Sequence, residues 1–274
     1  METKKYSDLI CERRSVRTFD GQGIDEKTRA KLPAFAGDCP NPYGISMEFR
    51  FLSAKAHNLK SQVISGTDDF VAVKLEKAPN FEVALGYSME KFVLDAWSIG
   101  IGTTWIGGTM DRAAFERAMD LSEHEIMPCV SPIGHAAKRM SLLEVAMRKG
   151  VGADRRKAFR ELFFDRDFDS PLTEAKASQL LKPLEMVRLA PSAVNKQPWR
   201  ILVSDNLVHF YEKKGKNFVS ESVGDMQKID MGIALCHFEL AAEEMGIETS
   251  FEPKDPQIAA PEGTEYIATY RIVR

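Results

Sequence analysis

Over residues 81–100 the apolar positions Leu85, Met89, Phe92, Val93, Ala96 and Trp97 recur at helical spacing, which predicts a long, mostly buried helix. The same texture returns in the second half of the chain. Gly86, Phe92, Leu94, Ala96, Gly100 and Ile101 match Gly232, Phe238, Leu240, Ala242, Gly246 and Ile247 at one offset of 146 residues (86 to 232). A strand-like run at 47–53 parallels 197–203 at an offset of 150 (50 to 200). Two blocks in the same order, each preceded by a helix and a proline-rich loop, predict an internal duplication. The halves divide at residues 1–160 and 161–274.

Other elements follow from local pattern. Residues 6–13 read as a short amphipathic helix, and 25–36 as a helix with an acidic first turn that ends at Gly37. Strands are predicted over 47–52, 70–73, 127–133 and 199–203, with 55–66 irregular. Pro191 pushes the residue before it out of the α region, so the preceding helix stops at Ala190. Pro198 forces a second break before the strand that begins at Trp199.

A chain of 274 residues is long enough for a substantial core, and 44% hydrophobic with 28% charged residues is ordinary globular composition. A formal net charge of −3 gives no electrostatic reason to bind nucleic acid or an anionic membrane. With no apolar leader or membrane-length apolar run, the sequence predicts a cytoplasmic protein. Cys11, Cys39, Cys129 and Cys236 form no C-x-x-C pair and the histidines are scattered, which argues against zinc and iron–sulfur sites. The glycine-rich stretch 100–108 follows a helix and lacks G-x-G-x-x-G spacing, which excludes a dinucleotide fingerprint. It leaves Gly107 and Gly108 as a pair where backbone can approach a ligand.

Two stretches carry candidate chemistry. In Arg13-Arg14-Ser15-Val16-Arg17, extended alternation puts Arg13, Ser15 and Arg17 on one face and Val16 on the other. Two guanidinium groups and a hydroxyl suit a phosphate monoester, at about 1.5–3 kcal/mol for each charge-assisted bond; a basic surface turn is the plain alternative. In the loop Pro191 to Trp199, the Ser192 hydroxyl and the carboxamides of Asn195 and Gln197 both donate and accept hydrogen bonds. That suits a flat ring edge of mixed N–H and C=O groups, although such residues also make ordinary helix-to-strand connections.

Pro191-Ser192-Ala193-x-Asn195-x-Gln197-Pro198-Trp199 resembles the signature loop of the nitroreductase family of FMN enzymes, and Arg13-Arg14-Ser15-Val16-Arg17 resembles that family's opening phosphate-binding motif. Typical members carry the two motifs about one helix apart and form homodimers with FMN at the interface. There one subunit grips the phosphate and the other lines the ring. Here most of the chain separates the motifs, as a fused pair of subunits requires. The resemblance implies an α+β nitroreductase fold built as a tandem-duplicated pseudo-dimer, with mixed and antiparallel sheets packed with helices around a long central helix in each half. This is similar to the fused nitroreductases of the thermophilic-bacterial type.

Carried over by position, the resemblance implies that Arg13, Ser15 and Arg17 hold the phosphate and ribityl, with Arg14 contributing backbone and Arg156 a second phosphate contact. Gly107 and Gly108 would approach flavin N5, and Pro191, Ser192, Ala193, Asn195 and Gln197 would line the ring. The first half's loop at 38–43 has lost the pattern. The second half's counterpart to the basic motif, Phe164-Asp165-Arg166-Asp167-Phe168-Asp169, carries three carboxylates that repel a phosphate. One composite site should therefore survive. The implied function is an FMN-dependent NAD(P)H oxidoreductase, with NADH or NADPH as co-substrate, passing hydride through flavin N5 to a nitroaromatic, quinone or similar acceptor in a ping-pong cycle. No side chain acts as general acid or base, and the internal pseudo-dimer implies a monomer. Alternatives are a non-catalytic FMN-binding module and a flavin-free scaffold.

Overall fold

The computed structural model describes residues 4–273. In the first half, α1 (Tyr6–Glu12) leads to β1 (Met47–Ser53), β2 (Asp69–Glu76), the long α2 (Phe81–Ser98), β3 (Gly102–Thr103) and β4 (Val130–Gly134). Then α3 (Leu142–Val151) and β5 (Phe163–Asp165) lead into the second half: α4 (Leu181–Leu189), β6 (Trp199–Ser204), β7 (Leu207–Lys213), the long α5 (Met226–Glu244), β8 (Thr249–Glu252) and β9 (Thr264–Ile272).

The duplication is visible in the strand order. The first sheet runs β1-β2-β4-β3 and the second β6-β7-β9-β8, with every one of these pairings antiparallel. Strand β5 adds to the outer edge of β6 in parallel, so the second sheet is mixed. Each half thus places a hairpin, a long helix and two further strands in the same arrangement, the α+β pseudo-dimer the repeat predicts.

The halves meet where α2 crosses α5 at Gly86 and Gly232. A Cβ on Gly86 would lie 2.0 Å from the Ile229 carbonyl oxygen, and one on Gly232 would lie 2.0 Å from that of Val83. Only glycine lets two helix backbones touch in this way, which explains why this residue recurs at the same point of both repeats. Around the crossing the core continues from Leu85 and Met89 on α2 to Ile229 on α5. A larger core under the second sheet gathers Phe210, Phe238 and Tyr270.

Several local expectations change. The helix expected over 25–36 is two short pieces, Glu26–Arg29 and Leu32–Gly37, and Pro33 stands in the first turn of the second piece, where its missing N–H costs nothing. The strand expected over 127–133 begins only at Val130, and residues 55–66 open on a helical turn capped by Ser53. Residues 164–169 also do not occupy the position symmetric to the basic motif. Ser15 bridges Thr103 on β3, whereas Phe163–Asp165 pairs with β6, and Asp165 meets Lys176 at 2.6 Å.

Candidate functional site

Arg13 caps α1, its N–H donating to the Leu9 carbonyl at 2.8 Å, and the chain then extends. Val16 is fully buried, packed so closely on Gly102 that a Cβ there would lie 2.8 Å from a Val16 methyl. The Val16 N–H donates to the Thr103 carbonyl at 2.8 Å. With Val16 turned inward, alternation turns its neighbours outward, into a cleft of about 810 Å³ counted out to solvent. Arg13, Arg14, Ser15 and Arg17 line this cleft together with Arg148 and Arg156.

The compensation of these cations is uneven: Arg156 Nη1 donates to the carbonyls of Ala153 and Arg155 at 2.9 Å and its Nη2 to that of Leu189 at 3.1 Å, while other guanidinium nitrogens are left over. Arg13 Nη1, Arg14 Nη1 and Arg156 Nε are buried with no hydrogen-bond partner among the described residues. Burial lowers the pKa of Arg17, and burial together with the neighbouring Arg13 lowers that of Arg156. Two buried carboxylates stand behind them. Glu144 lies 3.7 Å from Arg14 Nη1, and Glu90 lies 3.7 Å from Arg13 Nε. Glu90 also accepts from Trp105 Nε1 at 3.1 Å and lies 3.0 Å from His237 Nε2, so α2, α5 and the arm carrying Arg13 are tied at one point.

The loop after α4 forms the facing wall. Its backbone is strained: Val194, Asn195 and Gln197 have φ of 43°, 57° and 51°. For a β-branched residue such a φ is costly, on the order of 1–3 kcal/mol. Side chains hold the shape. Ser192 Oγ accepts the Gln197 N–H at 2.9 Å, and both Asp230 oxygens accept the Ala193 N–H at 2.9 and 3.1 Å.

The carboxamides are employed differently from the expectation. Asn195 Nδ2 donates to the carbonyls of Gly152 (2.7 Å) and Arg155 (2.9 Å), and Gln197 Oε1 accepts the Lys157 N–H at 2.8 Å. They fasten the segment that carries Arg156 by giving its backbone carbonyls and N–H hydrogen-bond partners. Asn195 still borders the cationic cleft, but Gln197 faces a separate outer groove.

A second space, about 660 Å³ counted out to solvent, continues from the first through Ser15, Arg17, Pro191, Ser192 and Val194, and Ala193 borders it too. The first half contributes Thr104, Trp105, Gly107 and Pro128, while Met226, Ile229, Asp230 and Ile233 form one face of α5. Of the glycine pair only Gly107 reaches this space; Gly108 borders a neighbouring groove with Leu59 and Met110.

Asp230, Thr104, Trp105 and Arg148 were not singled out from the sequence. The repeat held a signal for two of them. At the offset of 146, Asp230 falls opposite Ala84 and Trp105 opposite Phe251, so the lining differs between halves at both positions.

The mirror-related position carries a large side chain. At the strand offset of 150, Tyr43 stands where the second half has Ala193. Its ring packs edge-on against Phe251 at 5.1 Å, and its hydroxyl donates to the Ile267 carbonyl at 3.4 Å.

Among the described residues, no helix is long and apolar enough to cross a membrane. No curated protein matches the chain. Among solved structures it is similar to a putative nitroreductase from Thermotoga maritima, at 18% identity and a TM-score of 0.64, covering 100% of this chain and 95% of that one. An FMN-dependent nitroreductase from Clostridium difficile is 14% identical over 48% of this chain and 88% of its own, with a TM-score of 0.42. A putative NADH dehydrogenase/NAD(P)H nitroreductase from Bacteroides thetaiotaomicron is 19% identical over 50% and 89%, with a TM-score of 0.43. The likeness to the Thermotoga structure spans both repeats and agrees with the fold described above. The family model described as "Putative TM nitroreductase" matches residues 5–242, and the chain belongs to that family.

Proposed function

We propose that the seam site binds one FMN and that the protein is an FMN-dependent NAD(P)H oxidoreductase acting on a small electron-poor acceptor such as a nitroaromatic or quinone. The observation that carries this reading is the set of buried, unpartnered guanidinium nitrogens on Arg13, Arg14 and Arg156 beside a largely apolar space. A buried donor left unmade costs about 1–3 kcal/mol, and a phosphate dianion at the arginines recovers that cost. The apolar space beyond suits a flat ring system.

FMN, when bound, supplies two-electron transfer from NAD(P)H to the acceptor, in a ping-pong cycle. The residues of the chain bind and orient it. Arg13, Arg14, Arg17 and Arg156 hold the phosphate, and Ser15 faces the ribityl chain. Pro191, Ser192 and Ala193 form one wall of the ring space, with Gly107 on the other side. Ile229, Ile233 and Val223 keep water out, which strengthens every polar contact inside. No side chain is needed as general acid or base.

Each half of the chain, taken as residues 1–160 and 161–274, supplies part of the same site, which supports a monomer as the working unit. Tyr43 at the mirror position supports a single FMN per chain. The test is the visible absorption of purified protein after FMN is added and free cofactor removed, followed by NAD(P)H oxidation with a quinone. One FMN per chain and acceptor-dependent oxidation are expected. Absence of retained flavin refutes the reading, and flavin without turnover favours a non-catalytic FMN module.

A further inference from the structure

Asp230 is the single carboxyl lining the ring-side space. It is 4% exposed, and its hydrogen-bond partner among the described residues is the Ala193 N–H, shared by both oxygens. The charged groups that act on it are themselves carboxylates, Asp225 at the head of α5 and Glu212 on β7, while Arg17 borders the same space. Burial and those carboxylates raise the Asp230 pKa well above the usual range. A carboxylic acid kept neutral by an apolar site is a hydrogen-bond donor. Beyond the Ala193 N–H, the carboxyl has no hydrogen-bond partner among the described residues, so a group bound in this space is what would meet its free side.

A second group in the same space points the same way. Thr104 is 1% exposed, and its Oγ1 has no hydrogen-bond partner among the described residues. The remaining α5 lining is Met226, Ile229 and Ile233, none of which can satisfy either group. Two buried polar groups in a space whose α5 wall is otherwise apolar suit a polar ligand edge. The pyrimidine edge of an isoalloxazine, with its two carbonyls, is such an edge, and it gathers negative charge when the ring is reduced.

Resting on the FMN reading, we propose that Asp230 is a binding residue of the site: its oxygen fixes the Ala193 N–H of the strained loop while its O–H donates to a carbonyl of the ring's pyrimidine edge, with Thr104 as a second donor. The proton stays on Asp230 throughout. Because the bond strengthens as charge grows on the acceptor, Asp230 favours the reduced cofactor over the oxidised one.

The test compares wild type, Asp230→Asn and Asp230→Leu at neutral pH for oxidised-FMN affinity and for the midpoint potential of bound FMN. Asn keeps an N–H donor and an acceptor for Ala193, so both readouts should stay within about threefold of wild type. Leu should bind reduced relative to oxidised FMN about tenfold less well, a fall of about 30 mV for the two-electron couple. A potential that rises by that amount in Asp230→Asn means that the carboxyl is charged in the complex, and overturns the assignment even if the Leu variant does not fold. Unchanged affinity and potential in a folded Leu variant overturn it too, with the FMN reading intact. A wild type that retains no FMN overturns both.

Discussion

Gly86→Ala probes the seam on which the site is built. The new Cβ would lie 2.0 Å from the Ile229 oxygen and 2.9 Å from its carbon, whereas ordinary contact begins near 3.4 Å. The helices must therefore part by about 1.4 Å (3.4 − 2.0), and no rotamer relieves the contact because the obstacle is backbone. Overpacking costs about 1–3 kcal/mol, and a backbone obstacle belongs at the upper end. Alanine in a helix recovers about 1 kcal/mol over glycine, leaving a net loss of about 2 kcal/mol. At roughly 2–4 °C per kcal/mol, Tm should fall by about 4–8 °C. Ile229, Asp230 and Ile233 line the site from the displaced helix, so FMN affinity should fall as well. Gly232→Ala meets Val83 in the same way, and one parting of the helices relieves both, so the double variant should cost less than the sum of the singles. Urea unfolding followed by circular dichroism measures this as a shift of midpoint at constant slope. A Gly86→Ala midpoint at or above wild type, or strict additivity in the double variant, refutes the argument.

Arg17→Glu removes charge-assisted bonds of about 1.5–3 kcal/mol each and adds repulsion, so FMN affinity by equilibrium dialysis should drop at least about a hundredfold; full occupancy would sink the composite site. Asp167→Arg should leave the stoichiometry at one FMN per chain. Tyr43→Ala removes the contact with Phe251 and should destabilise by about 2 kcal/mol in urea without admitting a second FMN, because the arginine cluster lies at the other site. Glu212 is buried, its two oxygens lack partners, and its pKa is raised from 4.5 to about 7. The folded state then holds a proton that the unfolded state has lost, so the stability it contributes is full below about pH 4.5 and is lost as pH rises towards 7. Urea midpoints across that interval should fall with pH in the wild type and fall less steeply in Glu212→Gln, where the raised pKa of Asp230 remains.

What the sequence made legible follows from how narrowly physics limits the residue. Gly86 and Gly232 could be matched because two touching backbones admit no other side chain. Val16 could be turned inward because strand alternation leaves one choice once its neighbours, Ser15 and Arg17, are polar. The carboxamides stayed open for the opposite reason: Asn195 and Gln197 can serve a ring edge or a backbone segment with the same atoms, and the sequence does not say which is near. Asp230 was hidden among Gln227, Lys228, Glu239, Glu243 and Glu244 of its helix, because an acid every few residues normally marks a solvated face. The break between Glu26–Arg29 and Leu32–Gly37 turns on one proline whose tolerated first-turn position looks, in sequence, like an interruption of a single helix.

The unequal loops also bear on how such a protein can change. In a two-fold dimer encoded once, a substitution is written into both sites together, so a tyrosine that plugs one plugs the other. Here Tyr43 and Ala193 occupy matching places on one chain and differ. Linking the copies has released each from the other's constraints: one loop has become packing for the opposite sheet, while its twin borders the open space and is free to be selected for the ligand alone.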